Sequence, residues 1–225
     1  PNVPMKDSGV EWIGEIPEHW DICKIKYIVN KDKNSIKAGP FGSQLKSEDI
    51  IESGIKVYNQ ANVIKKDLSI CSDYISEKKY KELEAFTVFE NDILVTSRGT
   101  IGRVVIVTSE AEKGVLHPCL LKMSINTDLY KLELIDFIFN ETRIVQNQIE
   151  FLSNATTIDV IYTDTLKNII LPFPPKEEQD SILNYIYQKV KEIDSLVFSI
   201  SNQLGKLKEY RQSLITAAVT GKIDV

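Results

Sequence analysis

The sequence predicts an α+β fold, in which a mixed α/β domain with short strands is followed by a long C-terminal coiled-coil helix. Three observations predict it. Runs of β-branched residues bounded by turn-forming residues recur through the first two thirds of the 225-residue chain. A proline-rich stretch then ends this pattern at residues 171–175. From there towards the C-terminus, apolar residues follow a heptad spacing.

In the first domain, strands are expected where short apolar runs stand between Gly, Pro, Ser, Asn or Asp. Short helices are expected between them, because Ser47 and Ser76 are good N-caps and Gly54 is a typical helix end. A longer helix is predicted over residues 128–152, where apolar residues return every three or four positions. The predicted strands are residues 55–58, 92–96, 103–107, 119–123 and 169–171, and the predicted short helices are residues 47–53 and 76–85.

Residues 171–175, Leu-Pro-Phe-Pro-Pro, predict a stiff, extended segment, which we call the strap, because three prolines remove three backbone donors. Pro175 suits the first position of a helix, and Glu177 and Glu178 favour the positive end of the helix dipole. The final helix is expected to continue to about Thr220. We therefore divide the chain into a first domain, residues 1–173, and a long helix, residues 174–225.

The final helix carries an apolar seam over more than four heptads, a strong coiled-coil signal in which only Arg211 is charged. At about 1.5 Å per residue the helix is about 65 Å long, which exceeds what a domain of this size covers. The seam therefore predicts a partner helix, and folding back onto its own domain is the alternative. The residues expected in this helix interface are Leu183, Ile186, Val190, Ile193, Val197, Ile200, Leu204, Leu207 and Leu214.

The composition excludes several classes of protein. The net charge of −5 excludes a uniformly basic nucleic-acid coat, although residues 21–66 hold nine lysines against five acids. Three cysteines without metal-ligand spacing argue against a disulfide framework or a zinc site. The chain has no apolar run long enough to span a membrane and no signal-peptide core at its start. We expect a cytoplasmic protein, and the absence of an initial Met indicates a trimmed start or a segment of a longer chain.

Motifs for catalysis are missing from the sequence. It has no phosphate-binding loop of the Walker type, no nucleophile elbow and no zinc spacing, and His19 and His117 are isolated. Glu77 and Lys79 match only half of a nuclease site, without a convincing partner aspartate. We therefore expect no catalytic residue, no metal and no cofactor.

Polar, turn-rich loops are instead suited to contact DNA. Backbone at glycines can approach phosphates, Asn and Gln can pair with adenine, and Arg can pair with guanine. The alternatives are that Phe41 lies in the core and that the glycines serve turn geometry. Thr156 and Thr157 are weaker candidates. The candidate DNA-binding residues are Lys37, Phe41, Ser43, Gln44, Lys46, Tyr58, Asn59, Gln60, Asn62, Lys65, Lys66, Arg98, Thr100 and Arg103.

Five segments together resemble the specificity subunit of Type I restriction–modification enzymes. The most specific pair is the strap with its Glu-Glu-Gln continuation and the Thr-Gly-Lys-Ile-Asp ending. The segments are residues 7–20, DSGVEWIGEIPEHW; 39–46, GPFGSQLK; 91–102, NDILVTSRGTIG; 171–179, LPFPPKEEQ; and 211–224, RQSLITAAVTGKID.

The resemblance implies a DNA-binding subunit that is not itself a catalyst. Its target-recognition domain would bind one half of a split double-stranded site. Its long helix would set the spacing and dock methyltransferase (M) subunits, which in turn support the restriction and translocase (R) subunit. The family pattern is normally duplicated, and this chain has one domain and one helix. It is expected either to form a homodimer through the helix or to be half of a longer chain. The alternatives are a coiled-coil scaffold that binds protein and a stand-alone DNA-modifying enzyme.

Overall fold

The computed structural model describes residues 3–32, 34–70, 73–153 and 160–223, without the side chains of residues 152 and 153. The chain divides into two units, Pro1–Gln179 and Asp180–Val225. The first unit mixes short strands with short helices, and a long helix ends the chain, which confirms the predicted fold class. No helix among the described residues is long and apolar enough to cross a membrane.

Twelve strands and six α-helices make up the described parts of the chain. The strands are β1 (Met5–Asp7), β2 (Glu15–Pro17), β3 (Asp21–Lys24), β4 (Ile36–Ala38), β5 (Ile55–Tyr58), β6 (Tyr74–Ile75), β7 (Thr87–Val88), β8 (Asp92–Thr96), β9 (Val104–Ile106), β10 (Gly114–Leu116), β11 (Leu120–Ser124) and β12 (Ile170–Phe173). The helices are α1 (Gln60–Ile64), α2 (Glu77–Leu83), α3 (Leu132–Glu141), α4 (Ile144–Ser153), α5 (Thr163–Asn168) and α6 (Lys176–Val219).

Two four-stranded sheets form the centre of the first unit. One has the strand order β6-β5-β10-β7 and contains the parallel pair β5 and β10. The other has the order β4-β11-β8-β9 and is antiparallel throughout. Their buried side chains meet in one cluster that includes Tyr58, Leu94, Leu116 and Leu120. Burial of this apolar area is the main stabilising term for strands that are too short to be stable alone.

A buried ion pair lies within the antiparallel sheet, and its lysine also reaches the other sheet. The ammonium of Lys122 in β11 lies 2.6 Å from Asp92 Oδ2 in β8, and both side chains are almost fully buried. Lys122 also donates to the carbonyl of Thr87 in β7, which belongs to the other sheet. Ser124 donates to the second oxygen of Asp92. Each charge is therefore compensated by hydrogen bonds, as a buried pair requires.

Strand β12, Ile170–Phe173, contains the first half of the strap and, among the described strands, pairs only with β3 in a two-stranded sheet. Pro172 is tolerated because an edge strand does not need its missing donor. After the strap, the amide of Gln179 accepts from Lys131 N and donates to the carbonyls of Leu129 and Pro174. The carboxylate of Glu178 accepts from the indole of Trp20 at 3.0 Å. The first turn of α6 is thus fixed to the domain by the residues of the Glu-Glu-Gln motif.

Two predicted helices differ from the observed structure. Residues 47–53 form only a short 3-10 turn, Ser47–Asp49, because Ile51 makes a β-bridge to Tyr74 instead. The helix predicted over residues 128–152 is interrupted at Thr142, where α3 ends. The Thr142 hydroxyl donates to the Ile138 carbonyl at 2.6 Å and accepts from Ile144 N at 3.2 Å. This local hydrogen bonding competes with helix continuation, so that two helices replace one.

Candidate nucleic-acid interface

Strand ends from both central sheets converge at one edge of the first unit. β4, β5, β8 and β10 end there, whereas β9 and β11 begin there. Backbone hydrogen bonds tie the loops together: Gly39 N donates to Leu120 O, and Ser97 N donates to Cys119 O. A third joins His117 N to Tyr58 O at 2.9 Å. We call residues 39–46, 59–60, 97–103, 117–119 and 160–162 the edge loops.

Gly39 opens the first edge loop because the backbone of His117 lies too close to leave room for a side chain. A Cβ on Gly39 would lie 2.2 Å from the carbonyl oxygen of His117, closer than any real contact. After it, Leu45 is buried and anchors the loop, while Phe41 is 81% exposed. The core position considered for Phe41 is therefore excluded. An exposed phenylalanine on a polar loop offers an apolar face for stacking or wedging against bases.

The same loop presents polar groups around Phe41. The side chain of Gln44 accepts from Phe41 N at 2.9 Å, which holds the turn and leaves its NH₂ group for a ligand. Ser43 is exposed beside it. Lys46 is also exposed, and its ammonium lies 3.2 Å from Glu48. An ion pair this exposed contributes little, so that Lys46 can exchange Glu48 for a phosphate.

The turn between β8 and β9 presents Arg98 and Thr100, both exposed. Gly99 has φ +65°, a conformation that favours glycine. The turn closes because Thr96 Oγ1 accepts from Arg103 N at 2.9 Å. Among the described residues, the guanidinium of Arg98 makes no ion pair. It is thus the cation of this edge that is best placed to donate to a guanine or a phosphate.

Four of the predicted DNA-binding residues lie at positions 58 to 62, where the chain enters α1, and most of them form hydrogen bonds within the protein. Tyr58 is fully buried, and its hydroxyl donates to the Glu112 carbonyl. Asn59 caps α1, and the buried Asn62 accepts from Asn59 N. Of the four, Gln60 reaches the turn between β8 and β9, where its amide donates to the carbonyl of Arg98 at 2.8 Å. Burial therefore removes Tyr58 and Asn62 from the surface that could touch DNA.

The lysines predicted for phosphate contact lie in different environments. Lys37 is half-buried over the ring of Phe86, and burial, together with the charge of Lys122, lowers the pKa of Lys37. Lys66 is 2.8 Å from Asp136, which neutralises part of its charge. Lys65 is exposed, and the described part of the chain offers it no ion pair. Lys65 therefore keeps more of its charge for a ligand than Lys66 does.

Arg103, the last predicted contact, is exposed at the far end of the Arg98 turn. Its guanidinium donates to the carbonyl of Asn140 in α3 at 2.8 Å. The remaining donors of this guanidinium can still reach a phosphate. Thr156 and Thr157 lie outside the described residues.

Sequence reasoning missed His117 at this edge. The backbone N–H of Cys119 donates to His117 Nδ1 at 3.2 Å, and the Cys119 sulfur lies 2.8 Å from the same nitrogen. Burial lowers the pKa of His117, opposed by the charge of Asp73, and burial also raises the pKa of the Cys119 thiol. The His-Pro-Cys sequence between two strands is the signal for a turn, but it gives no indication that the turn joins the edge loops.

Tyr162 is a second residue that the sequence did not reveal. It precedes α5 and is 59% exposed. The chain beside it reaches the edge because Ile161 N donates to Ser97 O and Val160 bridges Arg98. The edge loops thus carry two exposed aromatic rings, Phe41 and Tyr162.

The second unit contains most of α6, whose seam is exposed over most of its length. Leu183 is buried, and Ile186 is half-exposed. The seam residues from there on are all exposed: Val190, Ile193, Val197, Ile200, Leu204, Leu207 and Leu214. A stripe of this size on a helix surface marks an interaction site.

Within the described residues, the structure has no cluster of three or more His, Cys, Asp or Glu side chains that could hold a metal ion. The chemistry available at the edge loops is that of hydrogen-bond donors, aromatic rings and a few cations. That inventory suits recognition of a polyanion with stacked bases.

A family model described as the Type I restriction modification DNA specificity domain matches residues 17–205 of this chain. The chain belongs to this family. Relatives include the Type I restriction enzyme MjaVIII specificity subunit of Methanocaldococcus jannaschii, which is 25% identical over 95% of this chain and 48% of the relative. The Type I restriction enzyme EcoBI specificity subunit of Escherichia coli is 24% identical over 92% of this chain and 43% of the relative.

Solved structures share the fold of this specificity domain. One chain, from work on complex assembly and conformational transition of the type I R-M system, matches with a TM-score of 0.59. It is 17% identical and covers 90% of this chain and 46% of that chain. The HsdS subunit from Thermoanaerobacter tengcongensis gives a TM-score of 0.58 at 16% identity, over 97% of this chain and 48% of that one. The chain spans about half the length of the relatives that it matches.

Proposed function

We propose that this chain recognises one half of a bipartite DNA target for a Type I restriction–modification system. The observation that carries the proposal is the convergence of the edge loops in a chain of this family. Their exposed groups combine an arginine that makes no ion pair among the described residues, two aromatic rings and several amide and hydroxyl donors. Together these groups can hold the DNA phosphate backbone in place and discriminate between bases in the major groove.

Within this proposal, residues 1–173 form the target-recognition domain and residues 174–225 form the helix for dimerisation, spacing and docking. The base contacts are assigned to Arg98, Gln44 and Phe41, which are exposed at the edge. Gln60 positions the Arg98 turn, and Lys46 and Lys65 contact phosphates. Methyltransferase subunits would dock on the helix and carry the restriction subunit, and DNA as the target implies a cytoplasmic protein.

The chain itself is proposed to be non-catalytic. The missing sequence motifs support this, because neither methyl transfer nor phosphodiester cleavage has a complete set of residues here. Purified chain should transfer no methyl group from S-adenosylmethionine to DNA and cut no duplex in the presence of Mg²⁺. Either activity in a preparation free of other subunits would contradict the proposal and favour a stand-alone enzyme.

In the proposed homodimer, two copies of a chain with one domain and one helix recognise both halves of the split DNA target. The exposed seam of α6 supports it, because an apolar stripe this long favours burial against a partner helix. A scaffold that binds only protein is the second candidate function. The edge loops and the exposed Arg98, for which the described part of the chain offers no ion pair, favour DNA over that alternative.

The test uses duplexes enriched from a randomised library by the purified chain. Arg98→Ala should weaken binding to the enriched duplex by about 1–3 kcal/mol, because a bidentate contact to guanine is lost. Lys81→Ala is the matched control, since Lys81 is an exposed cation on α2, outside the edge loops. Equal affinities of wild type, Arg98→Ala and Gln44→Ala for the enriched duplex would contradict the assignment of the edge loops.

A further inference from the structure

A basic surface lies next to the edge loops, where the 3-10 turn Ile25–Tyr27 packs against α5. Residues 24–31 contain three lysines and no acidic residue. Ile25 is fully buried and anchors the turn, whereas Tyr27 is 65% exposed. We call this surface the basic flank, and its residues are Lys24, Lys26 and Tyr27.

The charges of the basic flank are not neutralised within the protein. The ammonium of Lys24 donates to the side-chain oxygen of Asn168 at 3.2 Å, a neutral acceptor that leaves the charge in place. The ammonium of Lys26 lies 5.0 Å from the ring centroid of Tyr27, which also leaves its charge in place. The described part of the chain offers neither lysine an ion pair. Both cations are therefore available to an anionic ligand.

Other lysines of the domain are already engaged, which makes the basic flank distinct. Lys56 is fully buried against its own domain. The ammonium of Lys66 lies 2.8 Å from Asp136, and that of Lys167 lies 3.0 Å from Asp164, the acidic residue of α5. Because Asp164 is held by Lys167, α5 does not present a free carboxylate to the basic flank.

Helix α5 joins the basic flank to the edge loops. Tyr162, an edge-loop residue, directly precedes α5, and Asn168, which binds Lys24, is its last residue. At about 1.5 Å per residue, this six-residue helix is about 9 Å long. A step of that length corresponds to about three base pairs, at about 3.4 Å per base pair. A duplex bound at the edge loops can therefore continue over the basic flank.

We propose that the basic flank binds phosphates of the duplex outside the half-site and does not read their sequence. This inference rests on the proposed function, because the edge loops hold the duplex beside the flank. Lys24 and Lys26 supply ammonium groups, which act as point charges suited to phosphate oxygens. The ring of Tyr27 can pack on a neighbouring sugar, while its hydroxyl donates to a phosphate.

The basic flank divides the work of binding with the edge loops. The flank supplies affinity that depends on salt and is the same for every sequence, and the edge loops supply the discrimination between bases. An acidic protein surface would also complement the two lysines. The continuity of the flank with the edge loops favours DNA as the ligand.

The test combines charge removal on the protein with charge removal on the DNA. One probe is a duplex that wild-type chain enriches from a randomised library. The other is the same duplex with uncharged methylphosphonate linkages within about five base pairs outside the half-site. At about 0.1 M salt, wild type should bind the second probe about 10- to 100-fold more weakly, as expected for two lost phosphate contacts. Lys24→Ala with Lys26→Ala should bind both probes equally.

Salt titration gives a second readout of the same variants. The double alanine variant should flatten the dependence of affinity on salt by about two units, one for each lost phosphate contact. Lys24→Arg with Lys26→Arg should keep the wild-type dependence, because a guanidinium also binds phosphate. Lys78→Ala with Lys81→Ala is the matched control, since it removes the same charge from exposed positions of α2. All of these variants should enrich the same half-site sequence.

The outcomes separate this inference from the proposed function. Equal salt dependence of wild type and the double alanine variant would overturn the basic flank and leave the edge loops unaffected. A changed half-site sequence in that variant would overturn it too, because the flank would then read bases. Unchanged DNA binding with lost binding of a purified methyltransferase subunit would assign the flank to a protein partner. A wild-type chain that enriches no sequence would contradict the proposed function and the inference with it.

Discussion

Lysines that look alike in the sequence have different roles in the structure. Lys56 belongs to the basic stretch, but its side chain is fully buried, and its ammonium binds the carbonyl of Leu68 at 2.6 Å and Glu112 at 3.1 Å. Lys122 is buried beside Asp92. The sequence could not separate these from Lys65, because a lysine in a β-branched run and a lysine in a loop carry the same charge. Burial, which depends on tertiary packing, separates them.

The Lys122–Asp92 pair should be a main determinant of stability. Asp92→Ala leaves a buried ammonium without its counter-ion, so it should lower the free energy of unfolding by about 3–5 kcal/mol. Replacing both residues, as Asp92→Leu with Lys122→Met, should cost less than the single change, because no unpaired charge remains. Denaturant unfolding of the three chains measures this. A single variant as stable as wild type would contradict the role of the pair.

His117 should make stability depend on pH. Burial holds its folded-state pKa below the value of 6.5 that the unfolded chain has, so the unfolded chain binds the proton more readily in acid. Stability should therefore fall as the pH drops through about 6.5 towards the lower folded-state pKa. His117→Asn should flatten this part of the profile. Thermal unfolding between neutral and mildly acidic pH measures it, and identical slopes in both chains would exclude His117 as the cause.

At the scale of elements, the sequence pattern predicts those helices and strands whose bounds depend on residues close together in the chain. The heptad and the Glu-rich start predicted α6, and β-branched runs predicted β5 and β8 with their observed bounds. The break between α3 and α4 escaped prediction, because it depends on a hydrogen bond from Thr142 that competes with the helix. The amide-rich segment after β5 is predicted to contact DNA, whereas most of its side-chain amides form hydrogen bonds that cap helix α1.

The same limit applies to the candidate site. Glycine-containing loops predict which segments could contact DNA. Arg98, Gln44 and Phe41 in these loops are exposed, and their contact with DNA stays a prediction. The proximity of His117 and Tyr162 to these loops depends on pairing between strands far apart in sequence. No periodicity or motif in one chain encodes such pairing.

The length of α6 should set the distance between the two half-sites. Inserting one extra heptad after Ser201 keeps the seam in phase and lengthens the helix by about 10 Å. At about 3.4 Å per base pair, the preferred spacer should grow by about three base pairs, and the half-sites should stay unchanged. Selection of bound duplexes from a randomised library measures both. An unchanged spacer would show that α6 does not determine the spacing.

At the scale of the whole molecule, an acidic chain is proposed to bind a polyanion. The net charge is −5, so that DNA binding must depend on a few local cations and be sensitive to salt. Lys65→Ala should flatten the dependence of affinity on salt by about one unit, as expected for one lost phosphate contact. Lys66→Ala should change it less, because Asp136 already holds that ammonium. Equal slopes for wild type and Lys65→Ala would remove Lys65 from the interface.

In the proposed homodimer, two identical recognition domains related by a two-fold axis would impose a symmetry on the target. Each copy presents the same edge loops, so the two half-sites must have the same sequence in opposite orientation. The base pairs between them remain unread. A bipartite inverted repeat is therefore the signature of the homodimer, whereas a single domain acting alone selects one half-site only.

The most direct test of this account is selection of duplexes with a randomised core by the purified wild-type chain, followed by sequencing of the bound fraction. The account predicts enrichment of an inverted repeat whose two half-sites flank a spacer of fixed length and free sequence. Arg98→Ala should weaken the enrichment and relax the sequence preference at the position that Arg98 contacts, and Lys81→Ala should leave the enriched sequence unchanged. A bound fraction with no common sequence would contradict the central claim that this chain recognises DNA specifically.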